Sequence, residues 1–377
     1  MVYRFILYLI LIAFTFYLTK SQHYNWDIEA YMGLVYQLDN PEKSIEEVHN
    51  VVYSELKVKA PERFQFQNYT NEEAKGAVDY YKILSENPKA YGEELSLFKV
   101  KPLFTIVNYF FYQLGFSLST SIFLPSILSF GLIILIIYSF LQKIIRNKFI
   151  VFALTICFIL FRPILHAGRH ATPDLFSCFL FLYGFYLLYT KKSIFLFTVL
   201  AMLNVFTRPE YIVFYLLLFL AFYIYRKVFY FSKRDIILGT LFLILSFAFI
   251  QFSNEIPWKT LLMNQFIKVQ IYPISQPDAF NFNDYLNYIK AHLFRDFNES
   301  YFPLLLLFSL IIIFLGKDKK NIKTPIIIFL IIIFCSVFIR FFIFPTLVQR
   351  MMVGYYLLII LSLIYYQVYQ EEKSIES

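Results

Sequence analysis

Apolar runs recur along the whole chain, separated by short polar turns. They fall at roughly 3–19, 119–142, 149–165, 173–190, 193–207, 210–226, 236–252, 302–316, 324–343 and 351–368. A helix that crosses a bilayer needs about 20 predominantly apolar residues. The pattern therefore predicts an all-α, polytopic membrane protein with about ten transmembrane helices. The segment 102–117 is also apolar and reads either as a short span or as an interfacial helix.

Between these runs lie two longer polar stretches. The first, about 20–101, carries 14 acidic and 10 basic residues. Helix start signals divide it. Ser44 with Glu47 makes a capping box ahead of Ile45, Val48, Val52 and Leu56. Thr70 with Glu73 makes another ahead of Ala74, Val78 and Tyr81. Ile28, Met32, Val35 and Leu38 form an apolar face that starts just after Asp27. The stretch is predicted to be a small helical subdomain lying on the membrane. The second, about 253–301, places Phe282, Leu286, Ile289, Leu293 and Phe297 on one stripe, with Asn283, Asn287 and Lys290 facing away, which reads as an interfacial amphipathic helix. Residues 1–377 form a single membrane domain in this reading.

Charge sets the orientation. With 102–117 in the interface and the N-terminus inside, the clusters Lys143/Arg146/Lys148, Lys191/Lys192, Arg226/Lys227/Lys233/Arg234 and Lys317/Lys319/Lys320/Lys323 all fall on the cytoplasmic side, as does the tail. If 102–117 spanned, all of them would move outside, against the positive-inside rule. Both termini are thus expected in the cytoplasm and the two long loops outside. Composition agrees with the class: 59% of residues are hydrophobic and 16% charged, with a mean hydropathy of +0.59. The net charge of +8 sits in turns between apolar runs, which points away from nucleic acid as a partner and toward membrane lipids. Cys157, Cys178 and Cys335 lie inside apolar runs without ligand spacing and predict neither a disulfide nor a metal. The N-terminal run lacks a small-residue cleavage site and reads as a retained first helix.

The polar residues at span ends then gather on the outer face. Asp27 and Glu29 follow the first span. Arg162, His166, Arg169, His170 and Asp174 occupy the third-to-fourth connection. Arg208 and Glu210 follow the fifth span, and Arg340, Gln349 and Arg350 flank the ninth-to-tenth turn. Ionisable groups at membrane depth are costly and face a cavity or a partner. Plainer roles exist for each. Asp27 serves equally as a cap for the helix beginning at Ile28. Glu29 suits a first-turn acid, and Pro173-Asp174 and Pro209-Glu210 suit helix starts. Arg169 and Arg208 suit snorkelling, and His166 with His170 suits half a metal site. Arg350 is harder to dismiss, since it precedes a span on the side where positive charge is disfavoured.

Taken in order, NWDIEAY after the first span, the helical loop, KPLFTIVNYFFYQLG, HAGRHATPDLFSCFLFLYGFYLLY, NVFTRPEYIVFYLLLFL and VQRMMVGYYLLIILSL resemble the GT-C superfamily of membrane glycosyltransferases. The nearest likeness is to the bacterial relatives of protein O-mannosyltransferases and aminoarabinose transferases. The resemblance implies a sugar carried on a polyprenyl phosphate or pyrophosphate, transferred at the outer face of a bacterial cytoplasmic membrane to a hydroxyl of a glycan, lipid or protein. It implies that Asp27 is the general base, with Glu29 in reserve. The donor phosphate falls to Arg350, Arg169 and Arg208. His170, Asp174 and Glu210 are further substrate-binding candidates. A single displacement would invert the anomeric centre. No cofactor is implied, and a divalent metal stays open. Two departures stand out: Ile28 separates the two acids, and Arg350 is followed by Met351 where the family often has tyrosine.

Two other functions fit part of the pattern. A polysaccharide polymerase of the exopolysaccharide or O-antigen type would use similar arginines, but those proteins usually place the large loop later in the chain. A lipid or solute transporter would carry charges mid-span and helices broken by Gly or Pro in two halves. This assignment of site residues requires Asp27, Arg169, Arg208 and Arg350 to line one outward-facing cavity.

Overall fold

The computed structural model describes residues 2–65, 72–254, 256–315 and 323–376. The fold is 82% helical, and no strand forms among the described residues. Helix α1 (Val2–Lys20) buries Leu7, Leu11 and Leu18, packs Ile10 and Phe14 partly against the core, and shows most of its remaining apolar surface outward.

The first polar stretch folds as a helical subdomain: α2 (Asp27–Asp39), α3 (Ile45–Lys59), α4 (Glu72–Glu86) and α5 (Pro88–Phe98), followed by α6 (Pro102–Gln113). The Ser44 capping box forms as the sequence predicts. Glu47 N donates to Ser44 Oγ at 3.3 Å, and Ser44 N donates to Glu47 Oε2 at 3.0 Å. The stripe behind it, Val48, Val52 and Leu56, is fully buried, and each such side chain stabilises the fold by about 1.5–3 kcal/mol. The box on Thr70 lies outside the described residues. Helix α2 is central. Ile28, Met32 and Val35 are buried as expected, but so are Ala30, Tyr31 and Leu34 on its other sides, while Leu38 escapes at the end. It packs on α3, α5, α6 and α7, so it is enclosed by other helices on several sides.

The apolar remainder comprises α7 (Leu118–Ile144), α8 (Lys148–Ile159), α9 (Arg162–Gly168), α10 (Asp174–Lys191), α11 (Ile194–Thr207), α12 (Ile212–Ile224), α13 (Arg226–Phe229) and α14 (Lys233–Ser253). Then come α15 (Trp258–Leu262), running on as a π-helical turn Met263–Ile267, and α16 (Phe282–Glu299), α17 (Phe302–Leu315), α18 (Lys323–Ile343) and α19 (Gln349–Glu376). Side-chain caps start many of them: Ser117, Asn147, Ser193, Ser232 and Asn281 each accept a first-turn backbone N–H. Helix α10 packs among α7, α11 and α19, and α12 packs between α14 and α18.

The span count departs from the expected ten. Five described helices, α1, α7, α14, α18 and α19, are long and apolar enough to cross a membrane. The number rises to seven if α8 with α9, bent by 54°, and α16 with α17, bent by 61°, each count once. The reason is length. At 1.5 Å per residue, the 14 residues of α11 make about 21 Å against a hydrocarbon core of about 30 Å. The predicted span at 149–165 breaks where Arg162 and Pro163 start α9. Helix α6, at 12 residues, is also short for a span and packs on α2, α7 and α11.

The stripe of α16 packs in part against protein. Ile289 is buried, and Tyr285, Leu293 and Phe297 pack against the core, leaving Phe282 and Phe294 exposed. Tyr285 Oη donates to Phe342 O at 2.7 Å, and Trp258 Nε1 donates to Ile343 O at 3.1 Å. Two side chains of the second loop thus satisfy carbonyls at the end of α18 that have no partner within the helix. The middle of that loop is tied to α5: Glu93 accepts from Ile274 N at 2.8 Å, from Ser275 N at 3.1 Å and from the Ser275 hydroxyl.

Candidate active site

Asp27 opens α2 but does not cap it. Trp26 holds the cap position without a side-chain bond. The Asp27 carboxylate instead accepts from Asn25 Nδ2 at 2.8 Å and from Arg350, the second residue of α19, at 3.2 Å. Arg350 reaches a second acid as well, with its Nε 3.4 Å from Asp174 Oδ2. Asp174 begins α10, accepts from Thr172 Oγ1 at 2.8 Å and pairs with Arg208. Arg208 also pairs with Glu210, and Glu210 lies 3.4 Å from Arg340 near the end of α18. Arg340 is fixed by donating to Thr346 O at 2.8 Å.

These contacts make one continuous chain of ion pairs: Asp27, Arg350, Asp174, Arg208, Glu210, Arg340. It draws on five segments whose only common property in the sequence was their place at span ends. Its outer end is partly open, since the Asp27 side chain is 28% exposed. Its inner members are closed off: Asp174, Arg208 and Arg340 are all buried. Burying charges without partners costs several kcal/mol per ion, so alternation of sign is what permits the arrangement.

The inner end of the chain forms the polar wall of a cavity of about 500 Å³. Lys101, Arg208, Glu210 and Arg340 line it on one side, and Ile212, Val213, Phe247, Leu261 and Phe344 are among its apolar lining. Trp258 and Ile343, also in the lining, are exposed. Lys101 has no carboxylate at ion-pair distance among the described residues; its Nζ donates to Tyr31 Oη at 3.1 Å and sits 5.1 Å from the Phe98 ring centre. Burial lowers its pKa, and the field of Arg208 lowers it further. Counting the set, four cations (Lys101, Arg208, Arg340, Arg350) meet three carboxylates (Asp27, Asp174, Glu210). One positive charge is in surplus, and it belongs to the cavity wall.

The requirement of one shared cavity is not met as stated. Of the four residues named for it, Arg208 lines the cavity, whereas Asp27 and Arg350 are joined to it through Asp174, and Arg169 is outside the ion-pair chain. Arg169 Nε donates to Ser21 O at 2.7 Å, and His23 N donates to Arg169 O at 2.8 Å. Arg350, expected on a donor phosphate, is engaged with two carboxylates. His170 is buried and bonded through Nδ1 to His166 O at 2.6 Å. Lys101 and Arg340 take the places at the cavity that Arg169 and Arg350 were expected to hold. Arg340 had a visible signal, a single arginine within SVFIRFFIF. Lys101 had none, because KVKPL reads as an ordinary basic lead-in to a helix.

Glu29 is separated from Asp27 in function as well as in sequence. Its carboxylate is buried and takes a forked pair of bonds from Arg63 Nη2, at 2.9 and 3.1 Å, while Arg63 lies over the Trp26 ring. The sequence offered no sign of Arg63 as its partner. Burial raises the Glu29 pKa despite Arg63. Glu29→Gln is expected to keep any transfer activity and to lose about 1–3 kcal/mol of stability. A Glu29→Gln protein that melts normally yet cannot transfer would return Glu29 to the chemistry.

Glu94 in α5, partly buried, is a second acid the sequence did not mark. Tyr80 Oη donates to it at 2.6 Å. Burial pushes its pKa up to about 7, and the charges of Glu29 and Asp27 add to the rise. An unfolded glutamate titrates near about 4.3. The folded state thus binds the extra proton between those values. Its contribution to stability is full below about pH 4.3 and is lost as pH rises through about 7. Glu94→Gln is expected to flatten the fall in melting temperature across that window. An unaltered slope in the variant would show that another group titrates there.

No group of three or more His, Cys, Asp or Glu side chains placed to hold a metal ion occurs among the described residues. The chain matches no protein-family model, no curated protein and no solved structure.

Proposed function

We propose that the chain is a membrane glycosyltransferase of the GT-C kind, moving a sugar from a polyprenyl-phosphate donor to an acceptor hydroxyl. One observation carries this reading. A partly open carboxylate, Asp27, is linked by unbroken ion pairs to a cation-rich wall of a largely apolar cavity. A polyprenyl phosphate has the matching parts: an isoprenoid tail for the apolar lining and an anionic head for Lys101, Arg208 and Arg340.

The chemistry follows from this placement. Asp27 accepts the proton of the acceptor hydroxyl as its oxygen attacks the anomeric carbon. The bond to the lipid phosphate breaks on the opposite face, and the departing phosphate takes the bonding electrons. Charge grows there, where Lys101 supplies the surplus positive charge. Arg350, held between Asp27 and Asp174, positions the base. One displacement inverts the anomeric centre.

In the same reading α10, α11, α12 and α17 complete ten spans with α1, α7, α8 with α9, α14, α18 and α19. Both termini are cytoplasmic, and the site faces outward from a bacterial cytoplasmic membrane. The basic turns after α7, α10 and α12, which the chain direction puts at the other end of the helices from Asp174 and Arg208, support that orientation.

The test is an assay of the purified protein in detergent with a panel of polyprenyl-phosphate sugars and radiolabelled donor sugar. At least one donor is expected to be consumed with release of polyprenyl phosphate. A panel in which no donor binds or turns over, with the protein folded, removes the reading.

A further inference from the structure

A second positive cluster borders Arg350, and the transfer described above gives it no task. The backbone of His23 bonds to Arg169, and Arg169 Nε bonds back to Ser21, so the start of the first loop is fastened to the turn between α9 and α10. This brings three imidazoles together. The His23 and His170 rings are 4.7 Å apart, and the His166 and His170 rings 4.2 Å.

Around them the charge is one-sided. Arg169 spends only its Nε on the fold; its two terminal nitrogens have no protein partner among the described residues. Arg162 is exposed and has no ion pair among the described residues. Arg63 and Arg350 add to the field at His23, though each is itself paired with carboxylates. The acids within reach are already engaged: Asp27 and Asp174 on Arg350, and Glu29 on Arg63. His23 and His166 are exposed, while His170 is buried beneath them. The cluster therefore opens to water, unlike the cavity wall of Lys101, Arg208 and Arg340.

We propose that this histidine–arginine cluster binds an oxyanion, a phosphate or a carboxylate, carried by the acceptor. The proposal rests on the transferase reading. The donor's tail requires the apolar cavity, which fixes its head at the cavity wall. Asp27 is bonded to Arg350, the guanidinium that adjoins both clusters, so a base there stands between two anionic substrates. A guanidinium fork with imidazoles beside it suits an oxyanion with several acceptor atoms.

The imidazoles give the site a pH signature. Burial and then the fields of Arg169, Arg350 and Arg63 lower the His23 pKa, and burial followed by Arg350, His166 and His23 brings His170 down to about 4, against the pull of the His166 carbonyl. An oxyanion cancels part of that field and raises those pKa values. Binding then takes up protons and strengthens as pH falls.

The two tryptophans, Trp26 beside Asp27 and Trp258 in the cavity lining, allow each cluster to be read separately. In full-length Trp258→Phe protein in detergent, inorganic phosphate and glucuronate are titrated against Trp26 fluorescence at constant ionic strength. A saturable response is expected, about fivefold tighter at pH 6 than at pH 8, with the tighter ligand identifying the anion. Arg169→Ala is expected to abolish it. His23→Ala, which keeps the backbone N–H bonded to Arg169 O, is expected to remove most of the pH dependence. In Trp26→Phe protein, farnesyl phosphate should alter Trp258 emission and inorganic phosphate should not displace it. No response at Trp26, or a response indifferent to pH and to both substitutions, overturns the proposal. Farnesyl phosphate acting on Trp26 and displaced by inorganic phosphate gives the cluster to the donor and overturns it too. These are binding measurements without turnover, so they fail or succeed independently of the transfer assay.

Discussion

Asp27→Asn is expected to reduce sugar transfer by about 10²–10⁴-fold, the range associated with a positioned general base, while the protein inserts, folds and binds donor as before. Asparagine matches aspartate in shape but cannot take the acceptor's proton. The change is mild for the fold for two reasons. Asp27 is partly exposed, and Arg350 keeps its second acid, Asp174. Donor binding should persist, because the cavity wall is formed by other residues. The measurement is initial rate of transfer beside donor affinity in the same preparation. Unimpaired turnover in the Asp27→Asn protein would sink the assignment of Asp27 as base and with it the direction of the ion-pair chain.

The second large effect is expected at Arg208. It is the only residue that joins Asp174 to Glu210 among the described contacts, and it is buried with Asp174 while Glu210 is partly buried. Arg208→Ala leaves the buried Asp174 and the partly buried Glu210 short of a partner, and breaking a buried pair costs about 3–5 kcal/mol. Thermal unfolding in detergent should show the loss, and donor binding should weaken in parallel because the residue lines the cavity. Arg208→Lys is expected to recover only part of either, since one ammonium cannot reproduce a forked contact with two acids. An Arg208→Ala protein with the parent melting curve would mean that the two acids are satisfied without it, and the network would lose its structural meaning.

What the sequence disclosed depended on the range of the physical signal. The capping box at Ser44 and Glu47 and the stripe Val48, Val52 and Leu56 are local, and both form as read. Membrane character was legible because it is a property of whole segments. The span count was less so: a run of apolar residues does not record where a helix stops, and α8 stops short because Arg162 and Pro163 restart the chain in another direction. Site membership was partly legible. Asp27, Asp174, Arg208, Glu210 and Arg350 were singled out by their place at span ends, and all five join one chain. Pairing was not legible. Asp27 meets Arg350 across 323 positions, and nothing local to either says so. Glu29 looked like a companion of Asp27, yet the helical turn between them points it to Arg63. Lys101 and Glu94 gained their character entirely from what folds over them.

The attachments of the second loop to α18 have a mechanical consequence. Trp258 and Tyr285 stand on opposite sides of the 268–281 connection, and each grips a different carbonyl of the same helix end. Glu93 fastens the connection itself to α5. The floor of the cavity is therefore anchored at separate points that do not depend on chain continuity between them. A single proteolytic nick between Gln276 and Phe280 would leave Arg340, Trp258 and α16 where they are, so that damage to this stretch is absorbed without reaching the charged wall.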